Sequence, residues 1–167
     1  MARGMLKTLS VLVENQPGVL ARISGLIARR GFNIESLAVG PTDDPLFSRM
    51  TLVVDESQVH VEQIVKQLYK LINVIKITEF EHEDSVEREL MLVSVRATPE
   101  RRFQVIELAE IYGGRIADVG ADTICLELSG PPGELDDLLD LLEPPGVAEV
   151  ARTGRVGLER ARKASTF

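Results

Sequence analysis

Hydrophobic and polar positions in the N-terminal half follow two different periods. Leu9, Val11 and Val13 recur at every second position, which predicts a β-strand with one buried face. Over Val19–Ile27 the apolar residues recur three and four positions apart, as on one face of an α-helix. The predicted strands are Leu6–Glu14, Asn33–Val39, Ser48–Val54 and Val74–Phe80, and the predicted helices are Gly18–Arg30 and Val59–Ile72, with Ile72 on the inner face. The order β-α-β-β-α-β is the ferredoxin-like split arrangement.

The C-terminal half repeats this pattern at an offset of 82 residues. Pro17 corresponds to Pro99 and Gly31 to Gly113, so each half has a proline near the start of its first helix and a glycine at its end. The predicted strands of this half are Glu89–Arg96, Arg115–Val119, Thr123–Leu128 and Val147–Arg152, and the predicted helices are Glu100–Tyr112 and Glu134–Leu142. We therefore expect an α+β protein with two ferredoxin-like units.

The length of 167 residues suits two such units of roughly 80 residues each. We place the boundary in the charged segment Glu81–Glu87, with the first domain over residues 1–82 and the second over residues 83–167. Helices cover only one face of a sheet with this topology. The other face and the edge strands need burial, which predicts pairing with a second copy of the chain.

The charge of the chain limits its partners. The net charge of −7 disfavours binding to nucleic acid or to anionic membranes, and an aromatic content of 4% argues against an RNA-binding sheet. The charge is unevenly distributed, because the segment from Arg152 onward has five basic residues and one acid, Glu159. We expect this basic tail to be solvated, with docking on an acidic partner as the alternative.

The chain lacks the sequence features of an exported or membrane protein. No apolar run approaches the roughly 20 residues of a membrane span. Met1–Lys7 has neither the apolar core of a secretory signal nor the composition of a transit peptide. The single cysteine, Cys125, lies in an apolar run and is predicted to be a buried thiol in a reducing compartment. We therefore expect a cytoplasmic protein.

The strongest candidate for chemistry is the loop at the start of the first helix. Pro17 suits the first helical position, where its missing N–H costs nothing. Gly18 lets another group approach the backbone closely. The free N–H groups of Gly18, Val19 and Leu20 would then form a seat for a carboxylate. This is chemistry for holding a small anion such as an amino acid.

A second turn, Gly31–Ile34, follows the same helix and carries Asn33. The second unit has no counterpart of the first loop, since Ala97–Glu100 stands at its first turn. The fold is therefore repeated, whereas the candidate ligand loop is not.

Other polar residues predict neither a catalytic nor a metal site. Asp43 and Asp44, between prolines, are interpreted as a solvated turn rather than as metal ligands. The two histidines, His60 and His82, are expected at the surface. The outer face of the last helix is expected to carry Asp136, Asp137 and Asp140. Because the chain shows no nucleophile–base pair and no phosphate-binding loop, we do not expect an enzyme.

Several motifs resemble one known family. They are Leu9–Asn15, Pro17–Leu20, Arg30–Leu37, Ser48–Thr51, Gln63–Leu68, Asn73–Lys76, Arg88–Leu90 and Gly154–Leu158. The first unit resembles an ACT domain, and the chain from about residue 5 to about residue 160 is similar to the small, regulatory subunits of acetolactate synthase. The loop Pro17–Leu20 alone indicates only an ACT-like domain. The run Arg30–Leu37, with Ser48–Thr51 at the right distance, is more specific.

The resemblance implies a protein without catalytic activity of its own. Such subunits bind the thiamine-diphosphate-dependent catalytic (large) subunit, raise its activity and make it sensitive to feedback inhibition by branched-chain amino acids. Valine is the expected effector, with leucine and isoleucine as alternatives. Thiamine diphosphate, Mg²⁺ and FAD are expected only on the catalytic partner, and no cofactor or metal on this chain. A stand-alone ACT-type amino-acid sensor with a different target is the alternative function.

In this family the effector lies between two ACT domains of a homodimer. The matching positions are Asn15, Gln16, Pro17, Gly18, Val19 and Leu20 of one protomer, with Asn33 and Ile34 of the other. The resemblance implies that backbone N–H groups after Pro17 bind the carboxylate of the effector, and that Asn15 and Asn33 bind its ammonium. Leu20 and Ile34 would line the pocket for an isopropyl group.

Overall fold

The structure is a computed structural model that describes residues 5–57, 60–81, 83–143 and 146–161. Backbone contacts divide the chain into two compact units. The first unit runs to Val86 and also includes the C-terminal segment from Arg155, whereas the second spans Glu87–Gly154. This division differs from the predicted domains, 1–82 and 83–167, chiefly in the place of the C-terminal segment.

The described residues form the order β-α-β-β-α-β twice, followed by one additional strand, which confirms the predicted α+β class and the two ferredoxin-like units. The first six elements are β1 (Leu6–Glu14), α1 (Val19–Arg29), β2 (Ile34–Pro41), β3 (Phe47–Asp55), α2 (Val61–Leu68) and β4 (Val74–Phe80). Those that follow are β5 (Ser85–Arg96), α3 (Arg102–Ile111), β6 (Arg115–Val119), β7 (Thr123–Gly130), α4 (Pro132–Leu142), β8 (Val147–Arg152) and β9 (Val156–Glu159). Among the described residues, no helix has the length and apolar character needed to cross a membrane.

The first sheet is antiparallel and has the strand order β2-β3-β1-β4. Its register places Val11 opposite Met50 of β3 and Ile77 of β4, so these side chains share one face. Ile23 of α1 and Leu68 of α2 belong to the same core and are 1% and 0% exposed. The face that α1 and α2 cover is therefore the one that the alternation along β1 predicted.

The second sheet has the equivalent order β6-β7-β5-β8, and β9 pairs with β5 outside that path. Val93 of β5 lies opposite Leu126 of β7, and both belong to a core closed by Ala109 of α3 and Leu138 of α4. Cys125 is only half-buried, because it lies next to Leu126 along the strand and so faces the other side of the sheet. The prediction of a core thiol was wrong for this reason.

The first helix of each unit ends at the glycine that the repeat aligns. Gly31 has a φ of +73°, and its N–H donates to the Ala28 carbonyl while the Phe32 N–H donates to the Ile27 carbonyl. Gly113 makes the equivalent end to α3, with a φ of +68°. This pair of bonds is the Schellman motif, in which a left-handed residue follows the helix. Both predicted helix ends are confirmed.

Helix α2 is shorter than the sequence predicted. It ends at Leu68, and the chain then turns, with the Leu71 N–H donating to the Leu68 carbonyl. Leu71 still packs against the core from this turn, but Ile72 is 89% exposed. Its predicted place on the inner face of the helix was therefore wrong. The predicted first residue, Val59, lies outside the described residues.

The segment from Arg152 is structured, so the prediction of a solvated basic tail was wrong for its described part. Arg152 forms ion pairs with Glu89 and Asp136, and residues 156–159 form the unpredicted strand β9. The partners of Arg152 are distant in the sequence, so the local run of basic residues gave no sign of them. The basic residues from 162 onward lie outside the described residues.

The helix-free face of the first sheet, the face opposite α1 and α2, is largely buried along its two central strands, β1 and β3. Ser10, Thr51 and Val53 alternate with core residues along β1 and β3 and are at most 2% exposed. The C-terminal segment lies on this face, where the backbone N–H of Arg155 donates to the Ser36 hydroxyl at 3.1 Å. A segment of the chain itself therefore covers part of the surface for which the sequence predicted a second copy.

Candidate functional site

The loop between β1 and α1 has the features of a type II turn over Gln16, Pro17, Gly18 and Val19. Gly18 has a φ of +84° and a ψ of −6°, and the Val19 N–H donates to the Gln16 carbonyl at 3.4 Å. Such a turn favours proline at its second position and needs glycine at its third. The helix starts at Val19, so the predicted place of Pro17 at the first helical position was wrong. The left-handed Gly18 cannot be helical, and Pro17 shapes the turn before it.

The first turn of α1 presents unused backbone donors. Among the described residues, no acceptor is found for the N–H groups of Gly18, Leu20 and Ala21, whereas that of Val19 is occupied in the turn. No side chain caps the helix, and its first turn contains no acid. The partial positive charge of the helix end is therefore uncompensated, which favours an anion there. The donor set differs from the predicted one in that Ala21 replaces Val19.

The space beside Gly18 is open. A Cβ atom placed on Gly18 would have no other atom within 4 Å. Leu20 is 42% exposed next to this space, whereas Val19 is 3% exposed and belongs to the core. A small ligand can therefore reach the donors and touch the Leu20 side chain, while Val19 has only its backbone to offer.

Asn15 fixes the loop to the turn between β2 and β3. Its backbone N–H donates to the Leu46 carbonyl at 2.7 Å, and its Nδ2 donates to the Pro45 carbonyl at 3.0 Å. Its Oδ1 is the side-chain atom left to accept a hydrogen bond from an ammonium group. Gln16 and Pro17 are exposed beside it.

A buried asparagine that sequence reasoning missed holds the other side of the loop. Asn73 is 5% exposed, and its Nδ2 donates to Glu14 Oε2 at 2.6 Å. Its Oδ1 accepts a hydrogen bond of 2.7 Å from Arg22 Nη1, and its carbonyl accepts one from the Glu14 N–H. Asn73 thereby joins the end of β1 to the second turn of α1. The only signal in the sequence was its place in a family motif, which assigned it no role.

The remaining two predicted positions lie at the far end of α1. Asn33 and Ile34 follow the helix, which has 11 residues and therefore a length of about 16 Å. Asn33 is exposed and donates through Nδ2 to Glu35 Oε1, and Ile34 is half-buried at the start of the edge strand β2. One chain thus brings the positions from Asn15 to Leu20 together and keeps Asn33 and Ile34 apart from them.

The second unit has a different structure at the equivalent position. The repeat aligns Gly18 with Glu100, and among the described residues no non-glycine has a positive φ. The Arg101 and Arg102 N–H groups both donate to the Thr98 carbonyl at 2.9 Å. A hydrogen bond from the Thr98 side chain lowers the pKa of Glu100, so a carboxylate of the chain itself is stabilised just before α3.

The other polar residues singled out in the sequence are mostly structural. Asp44 Oδ1 accepts the Leu46 N–H at 2.9 Å, which supports the interpretation as a turn. His60 is exposed at the start of α2, as predicted, and His82 lies outside the described residues. Among the described residues no group of three or more His, Cys, Asp or Glu side chains could hold a metal ion. Of the three aspartates expected on the outer face of the last helix, Asp137 and Asp140 are exposed, and Asp136 is half-buried and forms an ion pair with Arg152.

Comparison with known protein families matches both halves of the chain. Residues 9–76 match the model of the AHAS small subunit-like ACT domain. Residues 88–161 match the model of the small subunit of acetolactate synthase. The second match extends through β9, which the structure groups with the first unit.

Individual relatives agree with these matches. The chain is 50% identical over 159 residues to the probable acetolactate synthase small subunit of Archaeoglobus fulgidus, covering 95% of this chain and 99% of that protein. It is 52% identical to the acetolactate synthase small subunit of Mycolicibacterium smegmatis, covering 92% of this chain and 90% of that protein. Its fold is similar to the crystal structure of the acetolactate synthase small subunit from Thermotoga maritima, with a TM-score of 0.85 and 38% identity over 95% of this chain and 99% of that chain. The chain belongs to the family of acetolactate synthase small subunits.

Proposed function

We propose that this chain is a non-catalytic regulatory subunit that binds the large subunit of acetolactate synthase, raises its activity and makes it sensitive to valine. The observation that carries the proposal is the open, uncapped start of α1 at Gly18. It offers backbone donors and a positive helix end to the carboxylate of an amino acid. Membership of the small-subunit family supports the choice of partner.

Each part of valine has a complementary group in the proposed site. Its carboxylate accepts hydrogen bonds from the N–H groups of Gly18, Leu20 and Ala21, which lack acceptors among the described residues. Its ammonium donates to Asn15 Oδ1, and Asn33 of a second copy adds another polar group. Its isopropyl group packs against the exposed side chain of Leu20.

Two copies of the chain are needed to complete this site. Asn33 and Ile34 lie beyond one end of α1, about 16 Å from the other end. When the α1 helices of two copies lie antiparallel, the Gly18 end of each meets the Asn33 end of the other. A two-fold axis then produces two equivalent sites in a homodimer. The edge strand β2, which carries Ile34, has unpaired backbone groups available for the same contact.

Regulation follows from the position of the effector between two copies. Valine can alter the activity of the large subunit only when it binds one arrangement of the homodimer more tightly than another. The chemical steps belong to the large subunit, together with thiamine diphosphate, Mg²⁺ and FAD. The small chain contributes binding energy that depends on the effector.

The test uses the full-length chain with and without the large subunit. Calorimetric titration should show saturable binding of valine, compared with leucine and isoleucine as alternatives and with threonine and lysine as controls. Addition of the chain should raise the activity of the large subunit, and valine should lower it again. An absence of binding to all three branched-chain amino acids, also in the presence of the large subunit, would contradict the proposed site.

A stand-alone amino-acid sensor is the alternative. It would bind valine without changing the activity of the large subunit in the same assay. The match of residues 88–161 to the small-subunit family favours the regulatory subunit, because a sensor needs only the ACT domain.

A further inference from the structure

The helix-free face of the first sheet contains a cavity that the proposed effector site does not use. Its volume is about 280 Å³. Its wall includes Ser10, Arg49, Lys76 and Thr78 from the sheet, and Leu158 and Glu159 from the C-terminal segment. All of these residues belong to the first unit. The cavity lies on the opposite side of the sheet from α1, so it is a separate surface from the loop at Gly18.

The register of the sheet brings two cations to one place. Leu12 of β1 lies opposite Arg49 of β3 and Lys76 of β4, so the backbones of the two basic residues are about 10 Å apart, two strand spacings. Ser10 lies one step along the same face, opposite Thr78. Arg49 Nη1 donates to Ser10 Oγ at 2.8 Å, which fixes the guanidinium at the wall.

Neither of these two cations forms an ion pair with a described residue. Among the described residues, no carboxylate oxygen lies within 4.0 Å of the charged nitrogens of Arg49 or Lys76. An acid does line the cavity, Glu159, but it forms an ion pair with neither cation. The wall therefore keeps a net positive charge facing a partly enclosed space.

We propose that this cavity binds the phosphoryl group of a small molecule. The Arg49 guanidinium and the Lys76 ammonium together match a group that carries two negative charges. The hydroxyls of Ser10 and Thr78 can donate hydrogen bonds to the remaining oxygens of that group. Leu158 gives the rest of the molecule an apolar wall. Glu159 opposes the charge of the ligand, so binding is coupled to the position of the C-terminal segment.

The test is a titration of the ¹⁵N-labelled full-length chain with inorganic phosphate, followed by NMR. Amide signals along β1, β4 and β9 should shift, with an affinity in the millimolar range. Arg49→Gln and Lys76→Gln should each weaken binding about tenfold, since each removes a charge-assisted hydrogen bond. Glu159→Gln should tighten phosphate binding, because it removes a negative charge that repels the ligand. The gain should be only about threefold, since the Glu159 side chain is exposed and solvent screens its charge. Lys70→Gln removes an exposed lysine elsewhere in the unit and should change nothing.

The outcomes separate this cavity from the effector loop. Valine binding should be the same in Arg49→Gln as in the unmodified chain. The phosphate site and the effector site can therefore be tested independently of one another. Arg49→Gln could disturb the fold, because Arg49 is bonded to Ser10 in the sheet. Lys76→Gln and Glu159→Gln change exposed side chains and should keep the fold. Absence of phosphate shifts, or shifts unchanged in Lys76→Gln and Glu159→Gln, would overturn the proposal. Equal binding of malonate would overturn the choice of a phosphoryl group in favour of a carboxylate.

Discussion

The two units share a topology and a helix ending but differ where the first helix starts. In the first unit, Gly18 adopts a φ of +84° and leaves the start of α1 open. In the second, Glu100 stands at the aligned position, and the Thr98 side chain stabilises its carboxylate. The second unit thus has an acidic residue at the sequence position where the first has a glycine with open space beside it. The two units share the apolar pattern and the glycine helix ends that their common fold requires. The loop before the first helix is not constrained in this way and differs between them.

The units also differ on the helix-free faces of their sheets. In the first unit, Ser10 and Thr51 on this face are 1% and 2% exposed. In the second, Leu90 and Leu92, which alternate with core residues along β5, are 37% and 40% exposed. We expect the uncovered leucines of the second unit to contact the large subunit, because exposed apolar patches commonly mark interaction surfaces.

The largest expected effect is a loss of stability in the second unit alone. Glu89 is 6% exposed and accepts a hydrogen bond of 2.6 Å from Arg152, which also pairs with Asp136. Arg152→Ala leaves a buried carboxylate without its cation and should lower the free energy of unfolding of this unit by about 3 kcal/mol. Urea unfolding followed by NMR signals from each unit measures the change.

The control for that variant is Arg160→Ala, which removes an exposed arginine. It should leave both units unchanged. Equal destabilisation of the two units by Arg152→Ala, or none in the second, would show that the ion cluster does not support the second unit separately.

The next effect concerns the first unit. Asn73→Ala removes the partner of Glu14 and Arg22 and should cost about 2 kcal/mol of unfolding free energy. It should also weaken valine binding, because the loop at Gly18 loses one of its two anchors. Arg22→Ala, a control that removes one hydrogen bond at an exposed side chain, should have a smaller effect on both. Unchanged stability in Asn73→Ala would exclude this anchoring role.

The sequence predicted the elements that depend on local signals and missed those that depend on distant contacts. The strands β1, β4, β6 and β8 have the predicted bounds, and both glycine helix ends are confirmed, because alternation and a left-handed glycine are local signals. The strand β9 and the ion pair of Arg152 with Glu89, 63 residues away, depend on distant partners and left no local pattern. The order Pro17-Gly18 fits a helix start or a type II turn equally well, and the backbone conformation of Gly18 decides between them.

A smaller effect concerns the exposed face of the second unit. Leu92→Asp should weaken the apparent affinity for the large subunit about tenfold, as expected for an apolar contact residue. Valine binding should not change. Phe103→Asp is the matched control, since Phe103 is 77% exposed on α3 of the same unit but not on the sheet face. Equal losses in the two variants would exclude a specific role for this face.

The smallest effect concerns Glu100. Its lowered pKa means that its carboxylate stabilises the fold at a pH above 4.5, its ordinary value, and that this contribution is lost as the pH falls through the lowered pKa. Thr98→Val should bring the pKa of Glu100 back toward 4.5, as measured by NMR titration of its carboxyl carbon. The pKa of Asp55, which a hydrogen bond from Ser57 lowers, should stay where it is. A pKa of Glu100 that Thr98→Val leaves unchanged would contradict this assignment.

The most direct test of the difference between the units is calorimetric titration of valine into two variants at Gly18. Asp and Asn both tolerate the left-handed conformation better than other side chains, so Gly18→Asp and Gly18→Asn share the same backbone strain. Only Asp places a carboxylate where the effector carboxylate is proposed to bind. We expect Gly18→Asn to retain valine binding and Gly18→Asp to bind at least about a hundredfold more weakly. Equal binding of valine by the two variants would contradict the assignment of the start of α1 as the carboxylate site.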